Sequence, residues 1–262
     1  MTVVDTCLDK IGQWIGRRIA RPVGGPPGAT LSDPDLLRRS LQLADVVLVD
    51  GNQKVGTAIK YLTQSTWSHA ALYIGDEFCG SGAAGTPTGC LIEANVGEGV
   101  VILPLAKYAA YNTRICRASG LNEVERRQVV RFAIGRTGNK YDTRNIIDLA
   151  RYLLPTPPVP LRWRRRIIAL GSGEPTLAIC STLIAQAFQS VRYPILPVVE
   201  RIAPKFNGGN ENGFDEILHI RHHSLFAPRD FDLSRYFQIV KPTIEAGIDH
   251  RALNWAEIGP DR

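Results

Sequence analysis

Between Leu43 and Ala118 the chain reads as one short apolar run after another, each closed by a turn, and this pattern limits the fold more than any other feature. LADVVLVD (43–50) is a β-branched run ending at the turn pair Asp50-Gly51. WSHAALYIG (67–75), CLIEAN (90–95), VVILPL (100–105) and TRICRA (113–118) follow as further strands. Strand after strand with short connections predicts an antiparallel sheet or partial barrel. Strand alternation puts Trp67, His69, Ala71 and Tyr73 on one face and Ser68, Ala70, Leu72 and Ile74 on the other. In the same way Leu91, Glu93 and Asn95 share a face. GSGAAGTPTG (80–89) has no following Lys-Ser/Thr pair and opens no helix, so it reads as a hairpin connection and not as a phosphate cradle.

Helical signals interrupt and follow the strands. KVGTAIKYLT (54–63) fits a short helix. Asn122 caps a second one running to Gly135, with Glu123 and Glu125 at its positive end. Residues 145–154 fit a third, ended by Pro155. In CSTLIAQAF (180–188), Leu183, Ile184, Ala187 and Phe188 recur at helical spacing, which puts Cys180 at a helix N-terminus. Beyond it the chain reads as Pro-rich and irregular, with APRDFDLSRYFQIVKP (227–242) as its one distinctive stretch. The fold class expected is α+β: an antiparallel sheet packed against the helix that carries Cys180. The domain reading is a basic amphipathic arm and linker over 1–36, a catalytic domain over 37–242 containing a basic insertion at 155–173, and a tail over 243–262.

Composition adds bounds. With 44% hydrophobic and 21% charged residues in 262, the chain can build one sizeable core. No apolar run is long enough to span a bilayer, and Met1–Asp9 lacks the basic and apolar regions of a secretory signal. Five dispersed cysteines (Cys7, Cys79, Cys90, Cys116, Cys180) form no C-x-x-C pair, so reduced thiols in a cytoplasmic protein are expected, with neither disulfides nor structural zinc. His219, His222 and His223 have no carboxylate companions at ligand spacing; neither a metal nor another cofactor is expected.

A thiol at a helix N-terminus is biased toward thiolate by the helix dipole. It needs a base, and of the five histidines only His69 lies inside a strongly patterned strand that can aim it. A nucleophile on a helix facing a base on a sheet is a thiol-hydrolase arrangement. The base in turn needs a partner on its second ring nitrogen. Glu93 is the choice on the next strand, with Asn95 as the alternative.

SHAALYIGD, then LIEAN, then a distant CSTLIAQAF resemble the circularly permuted branch of the NlpC/p60 superfamily, the YiiX-like papain-like hydrolases, whose cousins are the lecithin:retinol acyltransferase-like enzymes. ADVVLVDGN and Ala58-Ile59 before Ser68-His69 fit the same pattern, and so does APRDFDLSRYF; together these stretches span roughly 42–242. The resemblance implies a permuted papain-like fold with Cys180 as nucleophile, His69 as base and Glu93 as third residue. It also implies attack on an amide or ester carbonyl through a thioester. Tyr141 matches a tyrosine that such sequences often carry between the two halves. The loop 80–89 and the segment 155–173 are departures from the minimal pattern.

The net charge of +6 favours anionic partners. Two basic-aromatic segments, one with Trp14, Arg17 and Arg18 and one with Trp163, Arg164 and Arg165, read as contacts to an anionic membrane surface. No nucleic-acid motif is present, and none of that class of partner is expected. The expected function is thiol-dependent hydrolysis of a peptide or lipid-linked amide. Two other readings compete: a lipid acyl esterase or acyltransferase using the same Cys-His pair, and a non-catalytic membrane-associated binding protein.

Overall fold

A computed structural model describes residues 33–79, 89–95, 98–139, 179–202 and 215–252. Its frame is a six-stranded antiparallel sheet in the order β4-β3-β2-β1-β5-β8. The strands are β1 (Val46–Val49), β2 (His69–Gly75), β3 (Cys90–Asn95), β4 (Gly99–Pro104), β5 (Thr113–Ala118) and β8 (Phe237–Val240). The fold is therefore α+β, as the run of short strands predicts. Among the described residues the sheet's edges are β4 and β8.

Both faces of the sheet are covered. One face, with Leu48, Leu72, Ile74 and Ile92, packs against α3 (Glu123–Ile134) through Val129, Val130 and Ala133, and against α4 (Ile179–Gln189) through Leu183, Ile184 and Phe188. The other face, with Val47, Ala71, Tyr73 and Leu91, is covered by Leu37, Leu105 and Tyr108. All four residues of β1 are buried for this reason, and the unbroken apolar run of Val46–Val49 is the sequence mark of a strand covered on both sides. Trp67 lies before the regular strand and joins the α3/α4 side, away from the His69 face to which alternation assigned it.

Local chemistry fixes the helix starts. Asp33 caps α1 (Pro34–Ser40), accepting from the N–H of Asp35 at 2.8 Å, with Pro34 in the first turn. The Asn122 cap holds as expected: its side chain accepts from Glu125 N–H at 2.9 Å, and the Glu125 carboxylate accepts from Asn122 N–H at 2.9 Å. Helix α2 (Lys54–Thr63) ends at Gln64 in the left-handed conformation.

Two expectations are corrected here. Cys79 and Cys90 form a disulfide across the ends of β2 and β3. Cysteine spacing hid the pairing because the ladder, not the sequence interval, brings them together: Cys90 sits opposite Gly75. The reduced-thiol argument for a cytoplasmic setting goes with it. Second, the chain beyond α4 is not irregular. Val198–Ile202 and Asp215–His219 pair as a separate hairpin, β6–β7, whose two-residue apolar runs are too short to read as strands. Residues 227–242 supply α5 (Pro228–Leu233) and the edge strand β8, followed by a turn of helix, α6 (Pro242–Glu245). Asp232 of α5 accepts from Trp67 Nε1 at 2.9 Å and from Arg114 at 2.8 Å, tying the C-terminal stretch to the start of β2.

Candidate active site

The site forms where β2 begins. Ser68 is locked in place: its hydroxyl accepts from Gly51 N–H at 2.8 Å and donates to the Val49 carbonyl at 3.2 Å. Gly56 of α2 lies so close that a Cβ there would stand 2.9 Å from Ser68 Cβ. The next residue, His69, pairs with Val49 and projects on the face of Ala71 and Tyr73.

Glu93 is fully buried on β3. Its Oε2 lies 3.1 Å from His69 Nε2 and accepts from the Tyr108 hydroxyl. Its Oε1 accepts from Asn95 Nδ2 at 2.8 Å and from the Lys107 ammonium. With Nε2 committed to Glu93, Nδ1 is the ring nitrogen left for Cys180.

Cys180 arrives on the first turn of α4, only 3% exposed. Its sulfur receives hydrogen bonds from the His69 ring and from the Ala70 amide, and Ser181 Oγ is 4.0 Å away. The Ala70 amide is available because of how the strands pair. Along β2, Tyr73 N–H donates to Asp45 on the β1 side, so by alternation the Leu72 and Ala70 amides point away from β1. The β2–β3 ladder, however, starts only at Leu72↔Ile92. No β2–β3 pair forms below that point, which leaves the Ala70 amide to the thiol.

The electrostatics favour a charged pair. Burial pushes the Cys180 thiol up, but the His69 charge, its hydrogen bond and the Ala70 amide outweigh burial and hold the thiol below its ordinary range. Burial would lower His69; the Cys180 thiolate and Glu93 instead raise it to about 10. Burial would raise Glu93, yet His69 and Lys107 keep it well below the usual carboxylate range. Tyr108 is raised by burial and by Glu93, so it remains a donor. The arrangement suits a thiolate–imidazolium pair backed by a buried anion, which can attack a carbonyl carbon and protonate a leaving group.

The structure thus brings together Cys180, His69 and Glu93, which the sequence singled out. The carboxylate beside His69 is that of Glu93, and Asn95 bridges Glu93 and Glu98. Tyr141, Trp14, Arg17, Arg18, Trp163, Arg164 and Arg165 lie outside the described residues. Of the histidines read against a metal, His219 lies 2.6 Å from Glu200 and His222 stacks on His223 at a centroid distance of 4.0 Å. Sequence reasoning missed Lys107 and Tyr108. They sit on a 3-10 turn (Leu105–Tyr108) that leaves β4 and folds back over the sheet. One signal was present: a glutamate on the inward face of a strand needs a cation, and Lys107 is the lysine that follows the next strand.

Residues 40–152 match a family described as permuted papain-like amidase enzyme, YaeF/YiiX, C92 family. The matched span holds His69, Glu93, Lys107 and Tyr108, while Cys180 lies beyond it. No curated protein matches the chain. Among solved structures, the crystal structure of metalloprotein yiiX from Escherichia coli O157:H7 is similar at 13% identity and a TM-score of 0.46, covering 77% of this chain and 97% of that one.

Proposed function

We propose, for a chain whose residues 40–152 are of the permuted papain-like amidase family YaeF/YiiX, C92, that it hydrolyses an amide bond through a thioester on Cys180. One observation carries this reading: the row Cys180–His69–Glu93, in which each group is held by the next. The Cys180 thiolate attacks the amide carbon and forms the C–S bond. The tetrahedral oxyanion collapses, the C–N bond breaks, and imidazolium His69 gives its proton to the departing amine. Neutral His69 then takes a proton from water as that water attacks the thioester. The acid leaves and the thiolate–imidazolium pair is restored. Glu93 orients the ring and stabilises its positive charge.

The substrate class is a peptide or a lipid-linked amide. The lipid branch draws support from the basic-aromatic segments around Trp14, Arg17 and Arg18 and around Trp163, Arg164 and Arg165, which suit an anionic membrane surface. Flotation with vesicles containing phosphatidylserine, compared with neutral vesicles, tests that surface preference.

The activity is tested with fluorogenic peptide amides and fatty-acyl amides, using wild type, Cys180→Ser and His69→Ala, together with acyl-probe labelling and peptide mapping. Amide hydrolysis that both variants lose, with the probe on Cys180, supports the reading. An acyl-Cys180 adduct that passes to an added alcohol or amine faster than to water would make the protein an acyltransferase instead. A Cys180 that reacts only as an ordinary thiol, with a midpoint near ~8.5, would overturn the hydrolase.

A further inference from the structure

We infer that Lys107 and Tyr108 are positioning residues of this site: by gripping both oxygens of Glu93 they keep it an anion aimed at His69, and so keep Cys180 reactive on the acid side. The inference rests on the reading of Cys180 and His69 given above. It follows from where the donors fall on the carboxylate. Lys107 and Asn95 take Oε1, and Tyr108 shares Oε2 with the His69 ring. With Oε1 filled, the carboxylate cannot rotate without giving up two donors, so the His69 contact at 3.1 Å is held from behind.

Charge balance makes the same demand. A fully buried carboxylate beside a single imidazolium has only a titrating partner. Once His69 passes its proton to a leaving group, Glu93 would stand as an uncompensated buried anion and would compete for that proton. Lys107 supplies a second positive charge from a side chain one-third exposed, so its own desolvation cost is limited. Counting Cys180 as thiolate and His69 as imidazolium, the cluster with Glu93 and Lys107 sums to zero charge. The groups facing Glu93 are His69 from β2, Asn95 from β3 (which leads on to Glu98), and Lys107 and Tyr108 from the 3-10 turn; Cys180 on α4 faces it through His69. Tyr111 packs edge-on against Tyr108 with ring centroids 5.8 Å apart, fixing the phenol that makes the fourth contact.

The test is the rate of Cys180 alkylation by iodoacetamide from about pH 4 to about pH 10, read by peptide mapping on the full chain. It uses wild type, Lys107→Met, Lys107→Gln, Lys107→Arg and Tyr108→Phe, with circular dichroism as the folding control. Loss of Lys107 lets Glu93 take a proton at higher pH. His69 then loses its anionic partner and the thiolate is lost with it. For Lys107→Gln and Lys107→Met the acid-side midpoint should rise by about one pH unit, so alkylation below it falls roughly tenfold. Lys107→Arg should restore most of the wild-type profile, and Tyr108→Phe should shift it the same way by less. Lys107→Gln keeps a donor toward Oε1 without the charge, and it decides the matter if Lys107→Met does not fold. A uniformly lower rate with an unmoved midpoint in Lys107→Gln or Tyr108→Phe would reduce both residues to structural support and overturn the inference. An ordinary thiol profile in the wild type would instead sink the hydrolase reading itself, so the two failures are distinct.

Discussion

Glu93→Gln is the substitution whose cost can be worked most directly from the structure. The carboxylate has two oxygens and four donors, paired two and two: His69 Nε2 with the Tyr108 hydroxyl, and Lys107 with Asn95 Nδ2. A glutamine amide offers one oxygen and one NH2. Whichever way it flips, two donors face two hydrogens. In one orientation the losers are Lys107 and Asn95; in the other they are His69 and Tyr108. The His69 ring loses its anion in both. A donor left without an acceptor in a buried site costs about 1–3 kcal/mol. The hydroxyl can rotate away and Lys107 can reach water, so the expected loss in unfolding free energy at neutral pH is roughly 2–4 kcal/mol. Losing the anion also weakens His69 as a proton holder. A charge-assisted hydrogen bond of about 1.5–3 kcal/mol predicts a fall in kcat/KM of roughly 10–100-fold. Urea melts give the first number and amide hydrolysis against pH the second. A Glu93→Gln protein within about 0.5 kcal/mol of wild type with an unmoved pH profile would refute this accounting of the carboxylate.

Three further outcomes are expected. Folding moves one proton from the Cys180 thiol, lowered in the native state, to His69, raised to about 10. The stability that His69 confers is complete below its unfolded value of about 6.5 and declines as pH rises; that from Cys180 is complete above its unfolded value near 9 and declines as pH falls. The two slopes cancel between those values, so urea melts of wild type should be flat there while Cys180→Ala loses stability with rising pH, and matching slopes in both would contradict the pairing. Gly56→Ala should destabilise by ~1–3 kcal/mol despite the ~1 kcal/mol that alanine gains in a helix, because the new methyl meets Ser68 Cβ at 2.9 Å; a thermal melt at or above wild type would show that Ser68 yields. Reduction of Cys79–Cys90 should cost about 3 kcal/mol and leave Cys180 alkylation unchanged, since the bond joins the ends of β2 and β3 remote from His69 and Asn95; altered Cys180 reactivity would link that end of the sheet to the site.

What could be read from the sequence was local. His69 stood out because strand periodicity aims a side chain, and Cys180 because LIAQAF marks a helix just behind it. Glu93 followed from alternation on the adjacent strand. What could not be read depends on register and on chain reversal. Lys107 and Tyr108 reach Glu93 only because the chain turns at Pro104 and lies back across a neighbouring strand, and no periodicity carries that information. Cys79 and Cys90 are joined by ladder register, which a sequence separation of 11 does not disclose. Trp67 was misassigned by extending the strand's period two residues before the strand begins. The β6–β7 hairpin was missed because its apolar runs are as short as those of a loop.

The order of the site's parts along the chain has a consequence for how the protein is made. His69, Glu93, Lys107 and Tyr108, with the strands that hold them, precede Cys180, whose helix reaches the gap beside Ala70 from a later stretch of chain. Chains emerge from the ribosome N-terminal part first. The half of the site that manages protons is therefore synthesised before the sulfur it serves. A nascent or prematurely ended chain carries His69 and Glu93 without Cys180, and the proposed thiolate–imidazolium pair can first form when α4 docks. The sulfur is the last part of the candidate site to be delivered.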